Sequence, residues 1–201
     1  SWVVDIFMGI VFSVYILLDK EGLKKNARKL TQLVIKGEHY NRFEKITTMA
    51  YTTFSNFISG QIIEAAIMAV LCFIGMSLLG FDYAPLISVI VGVTNVIPIV
   101  GPIIGTIPGA FILLLIEPID AVWFVIFIIV IQQIDANFIY PRVVGNKVGL
   151  PSLWVLFAIT IGGGLGGVVG MILGVPILSI VYALISEKFS EEKEKEEENI
   201  S

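Results

Sequence analysis

Residues 95–115 read NVIPIVGPIIGTIPGAFILLL, an apolar run carrying Pro98, Pro102 and Pro108 together with Gly101, Gly105 and Gly109 at a spacing of four. Proline removes a backbone donor and collides with the preceding helical turn, and glycine weakens a helix interior. In water such a stretch could pass for a loop. In lipid it cannot, because a freed N–H or C=O has no solvent partner there. Irregular backbone at membrane depth is tolerated only where protein buries it or a watery cavity reaches it. Pro98, Pro102 and Pro108 cannot all sit in one straight helix, so the backbone is expected to break around 97–102 and to shield that break inside the protein.

Composition decides which solvent applies. The chain is 56% hydrophobic and 15% charged with mean hydropathy +0.91, against about 45–50% and about 25% in soluble domains. The sequence is that of a membrane protein. Apolar runs separated by polar or Gly/Pro breaks predict seven crossings, at 2–18, 58–79, 84–97, 103–116, 121–138, 152–164 and 168–185. Several are shorter than the ~20 residues a straight helix needs to span a bilayer. Charge tests the count. If the first crossing runs inward, the inner segments are 19–57, 98–102, 139–151 and the tail. All thirteen Lys and Arg residues then fall on that side, eight of them in 19–57, as the positive-inside rule requires.

The segment 19–57 has structure of its own. Leu23, Ala27, Leu30 and Val34 make one apolar helical stripe; Gly37 interrupts it. Phe43, Ile46, Ala50, Phe54 and Phe57 make a second stripe that leads into the next crossing. Two amphipathic helices at the cytoplasmic interface are expected. The net charge of −4 misleads, since residues 186–201 hold seven of the seventeen acids in a low-complexity stretch read as a disordered cytoplasmic tail. Cys72 is the only cysteine, so no internal disulfide can form. The chain opens on Ser1-Trp2, already apolar, and is read as a fragment lacking its beginning, with residues 1–185 forming one membrane domain.

A second weak segment, GGGLGGVVGMILGVP at 162–176, places Gly166, Gly170 and Gly174 four apart with Pro176 following. Small residues at that spacing let another backbone approach closely. Two Gly/Pro-interrupted spans in one transporter point to its substrate site. Four acids lie in or beside the apolar runs. Asp5 and Asp120 are placed at interfaces. Glu64 lies one turn into a crossing with Gln61 on its face, and Asp135 lies near the inner end of another beside Gln132, with Gln133 and Asn137 on an adjoining face. An ionisable group in a span is a functional candidate by default. The bland alternative for Asp135 is a group at the headgroup boundary, a helix-end cap or a partner for Arg142. One histidine and one cysteine leave no metal cluster and no histidine-based triad. There is no phosphate-binding loop and no paired protease dyad. No enzyme, metal or cofactor is expected, and no nucleic acid.

The blocks NVIPIVGPIIGTIPG, QQIDANFIYPRVVGNKVGLPSLWVL and IGGGLGGVVGMILGVPIL are similar in order and spacing to the AI-2E transporter family, over nearly the whole chain. Where relatives often carry an acid before the Ile-Pro pair, this chain has Asn95-Val96. The resemblance implies an all-α, polytopic transmembrane bundle with Gly/Pro-broken or re-entrant segments and cytoplasmic amphipathic helices. It implies a homo-oligomer, pentamers being known, in the inner membrane of a bacterium or archaeon. Export of autoinducer-2 and sodium (or lithium)/proton antiport are both attached to the family. The expected function is therefore export of a small polar solute, with Na+(Li+)/H+ antiport and a non-transporting scaffold as alternatives. Gln61, Glu64, Asn95, Pro98, Gly101, Pro102, Gly105 and Pro108, with Gln132, Gln133, Asp135 and Asn137, are the candidate pathway residues. Pro141, Arg142, Gly145 and Pro151, with Gly166, Gly170, Gly174 and Pro176, are candidates for structure or gating.

The charge argument has a direct consequence. A cysteine introduced at Lys29 should react with an impermeant thiol reagent only from the cytoplasmic side; labelling from outside alone would reverse the topology.

Overall fold

Every described element is helical, which is how an apolar chain satisfies its backbone without water. The computed structural model describes residues 2–35, 37–145 and 149–200, with side-chain surroundings given for these except at 2, 3, 5, 6, 10, 17, 27, 28, 34, 38, 145 and 191–200. Lys147 and the surroundings of Asp5, Ala27, Val34 and Gly145 therefore lie outside the description. Residues 1–48 and 49–201 form separate units.

The first unit contains α1 (Trp2–Leu18) and α2 (Lys20–Val34), joined through Asp19, whose backbone leaves the helical region at φ −106°, ψ 24°. Ile35 is extended and Gly37 has φ +70°, so the expected interruption at Gly37 is present. Helix α3 (Glu38–Leu79) then runs without a break through both the second amphipathic stripe and the crossing that follows.

In the second unit come α4 (Ala84–Thr94), α5 (Val100–Ile116), α6 (Pro118–Ile134), two π-helical turns (Asp135–Ile139 and Pro141–Gly145) and α7 (Ser152–Ile200). Three stretches, His39–Leu79, Pro118–Val144 and Ser152–Ser190, are long and apolar enough to cross a membrane; Phe7–Ile16, Ala84–Thr94 and Val100–Ile116 are shorter apolar helices. The protein is an all-α membrane helix bundle.

Both glycine ladders build hairpins. Gly101 faces Thr94 and Asn95, Gly105 faces Thr94 and Val91, and Gly109 faces Ile87, so α5 lies antiparallel along α4. A side chain at Gly101 would collide with the Thr94 carbonyl, and only glycine permits that approach. The break falls at 95–99, slightly earlier than expected, because Val100 opens α5 and Pro102 occupies its first turn, where no donor is missed. Pro108 is accommodated inside α5. Helix α7 folds back at Gly166–Gly167, where the backbone is non-helical. There Gly162 meets Gly170 and Gly174 meets Ala158. Gly166 thus forms the turn and does not face the opposite arm, while Gly162 takes the packing place the ladder seemed to give it. Pro176 is buried.

Periodic buried stripes position the polar centre. On α3 the stripe reads Phe57, Gln61, Glu64, Met68, Cys72, Met76; on α4, Ala84, Ile87, Val91, Asn95; on α6, Ala121, Phe124, Ile128, Ile131, Asp135. One apolar cluster joins Cys72 and Met76 to Ile87, Val91, Leu113 and Phe124. A second joins Phe57 to Val144, Ala158, Ile159 and Val175. Along α3 the polar residues fall between the two.

The segment read as a disordered tail differs, since α7 stays helical to Ile200. Its composition of Glu and Lys consists of good helix formers with opposite charges four apart, as at Glu191 and Lys195.

Close packing at the α7 hairpin is testable. Gly162→Val or Gly170→Val should destabilise the protein by about 1–3 kcal/mol in reversible unfolding from mixed micelles. Gly164→Ala should not, as no atom lies within 4 Å of the added carbon.

Candidate functional site

Three stripes converge on one carboxyl group. Glu64 is 3% exposed, and its two oxygens accept hydrogen bonds from Gln61 Nε2 (3.1 Å) and Asn95 Nδ2 (2.6 Å). Gln61 sits one turn earlier on the same helix. Asn95 arrives from α4, and Gly92, one turn before it, is what lets α4 come close. A side-chain carbon at Gly92 would stand 2.6 Å from Ala69 Cβ and 3.0 Å from the Ala65 carbonyl.

Asp135 and Glu64 line one cavity, and two carboxylates facing one poorly hydrated site are held there most readily with a proton or a cation between them. Arg142 does not supply that charge. It donates to the Phe138 carbonyl (2.7 Å) and stacks on the Phe138 ring, so the alternative of an Asp135–Arg142 pair is overturned. Nor does Asp135 end a helix, because the chain continues as π-helix, with Tyr140 N–H bonded to the Asp135 carbonyl five residues back. Pro141 opens the second π turn.

Three acceptors around this centre are buried without a hydrogen-bond partner: Gln61 Oε1, Asn95 Oδ1 and Asp135 Oδ1. Each amide turns its N–H to Glu64 and leaves its oxygen unused. Beside them opens a cavity of about 410 Å3 lined by Glu64, Asn95, Pro98, Ile99, Pro102, Ile103, Gln132, Gln133, Asp135, Ala136, Tyr140, Ser152 and Val155.

Its wall includes the chain's strained turn. Ile99 has φ +66°, ψ −48°, and Val100 N–H bonds to the Pro98 carbonyl at 2.7 Å, the geometry of a γ-turn that β-branched residues rarely adopt.

Most of the expected pathway residues thus meet in one place: Gln61, Glu64, Asn95, Pro98, Pro102, Gln132, Gln133 and Asp135. Gly101, Gly105 and Pro108 support the hairpin without lining the cavity. Asn137 stands apart, exposed, its Nδ2 bonded to the Gln133 carbonyl at 2.7 Å. Pro151 precedes α7 and its carbonyl caps the first turn through Trp154 N–H at 2.9 Å. Sequence reasoning missed Tyr140, Ile99, Gly92 and Ser152. The only sequence signal for Tyr140 was its place before Pro141, and α-helical spacing from Asp135 would turn it to another face.

Broken helices around buried carboxyl groups in a membrane bundle are the arrangement in which transporters place their substrate and ion sites. The AI-2E family transporter model matches residues 1–190, and the chain belongs to that family. "Putative transport protein YueF" of Bacillus subtilis is 31% identical over 131 residues, covering 65% of this chain and 36% of that protein. "Putative transport protein sll0063" of Synechocystis is 31% identical over 173 residues, 86% of this chain and 42% of that protein. A "Sodium-lithium/proton antiporter" of Halobacillus andaensis is 29% identical over 134 residues, 67% of this chain and 38% of that protein. The chain therefore covers well under half the length of each of these three relatives. No solved structure matches.

Asn95→Ala removes a short hydrogen bond to a buried carboxylate and should cost about 1.5–3 kcal/mol in reversible unfolding. Asn137→Ala, losing only an exposed bond within its own helix, should cost little by the same measurement.

Proposed function

We propose that the protein is a secondary transporter exchanging protons for a monovalent cation at the Glu64–Asp135 pair. The observation that carries this is the set of unpartnered buried oxygens, Gln61 Oε1, Asn95 Oδ1 and Asp135 Oδ1, around the Glu64 carboxylate. A buried acceptor left unmade costs about 1–3 kcal/mol. A hard cation is held by carboxylate, amide and carbonyl oxygens of this kind. Proton and cation then compete for one pair of carboxyl groups, which is the chemistry of exchange. The name of the Halobacillus relative agrees with this reading.

Export of a small polar solute is the second reading, and the cavity favours it. About 410 Å3 exceeds the needs of one ion and falls in the range of small-molecule sites, with Gln132 and Gln133 offering donors and acceptors. In that reading the carboxyl pair carries only the coupling proton. Both readings place 1–185 as the transport domain, with 19–57 and the C-terminal segment on the cytoplasmic side of an inner membrane and the whole as a homo-oligomer.

The complete gene product in sealed vesicles, under imposed pH, sodium, lithium and potassium gradients, tests the choice. Cation-dependent proton flux that disappears in Asp135→Asn and Glu64→Gln, with assembly intact and Asp120→Asn unaffected, supports exchange. Normal flux in Asp135→Asn removes that residue from the mechanism. Flux of a neutral solute driven by the pH gradient, indifferent to cations, supports the second reading.

A further inference from the structure

The transport site leaves α2 unexplained. The helix KEGLKKNARKLTQLV follows α1 after the single residue Asp19 and is the most strongly amphipathic of the described helices. Leu23, Leu30 and Leu33 project along one side and are 48%, 64% and 74% exposed. Lys20, Lys24, Lys25 and Lys29 are exposed on the flanks and the opposite side. A soluble helix would bury those leucines against a core; here, in the described unit, they stand open beside concentrated positive charge.

We infer that α2 is a docking surface for anionic phospholipid headgroups, with its leucine stripe entering the acyl boundary and its lysines neutralising the lipid charge. Charge complementarity selects this occupant. An apolar stripe bordered by lysines fits a surface that is itself apolar below and negative above, and a helix with this pattern lies in the interfacial plane. Lysines close to an anionic leaflet each add attraction, which salt weakens within a Debye length. The chain's own acidic segment at 186–201 is the competing partner by charge. It offers the leucines almost nothing apolar, since Ile200 is its one aliphatic residue after Phe189. Attachment to α1, an apolar helix, already brings α2 to the bilayer surface.

The test is amide hydrogen exchange on the full chain in nanodiscs of phosphatidylcholine alone and of phosphatidylcholine with phosphatidylglycerol. Exchange across 20–34 should be about tenfold slower in the anionic discs. High salt, or joint charge reversal K24E, K25E and K29E, should abolish the difference without altering exchange in the spans. These lysines are exposed, so the variant tests charge and not folding, and the salt titration gives the same answer with no substitution. Equal protection in neutral and anionic discs would overturn the inference. Protection that persists in both discs but is lost on removing 186–201 would overturn it in favour of the acidic segment.

Discussion

A polar group inside a lipid-facing bundle has only the protein to turn to, and Glu64 shows how completely that rule organises this chain. Its carboxylate sits on the buried stripe of α3, among Phe57, Gln61, Met68 and Cys72. Holding it there requires donors. Gln61 supplies one from the same helix, and Asn95 supplies the other from α4. The second donor fixes much of the surrounding architecture. Asn95 can reach Glu64 only if α4 lies close to α3, hence Gly92 against Ala65 and Ala69. It also stands at the end of α4, so the chain must turn at once, hence the short hairpin and the glycine ladder that closes it. Apolar clusters flank it on either side along α3, which makes those two hydrogen bonds matter.

Several departures from ordinary local structure gather at one place. Ile99 adopts a strained γ-turn, Asp135 begins a pair of π turns, and three buried acceptors lack partners, all around one cavity. Others lie elsewhere: Tyr83 also has positive φ, and Pro108 and Pro176 sit inside helices. Strain and unsatisfied polarity concentrated at one place are what a site of function looks like, since they persist only where surrounding structure holds them. π turns within α-helices are frequent at such sites for the same reason.

Much of this was legible in the sequence because the strongest signals were local. Apolar runs gave the helices to within a few residues, and Gln132 with Asp135 shared a face as helical spacing required. Turn geometry was harder. A ladder of glycines says that backbones approach, yet it does not say which glycine turns, so Gly166 was assigned the packing that belongs to Gly162. The π turns were invisible to any reading in steps of 3.6, and with them Tyr140. Asn137 was grouped with Gln133 correctly by face, but its amide bonds back to its own helix. Burial of Asn95 and Pro98 in the 95–99 turn followed from the solvent argument, whereas docking on Glu64 did not, because that contact spans thirty-one residues and depends on Gly92.

The arrangement also says why amides accompany the acids. Within the exchange reading, a proton on the carboxyl pair removes charge from Glu64 and weakens what Gln61 and Asn95 donate to it. A cation instead restores that charge and engages the amide oxygens left unused. Gln61 and Glu64 are fixed on a helix of forty-two residues, so they cannot respond much to the difference. Asn95 can. It caps α4 at the start of the strained turn that carries Pro98 and Ile99 along the cavity wall. Within that reading, occupancy of the carboxyl pair is felt first at the strained 95–99 turn, and the prolines that make 95–102 a poor helix put that turn within reach of the site.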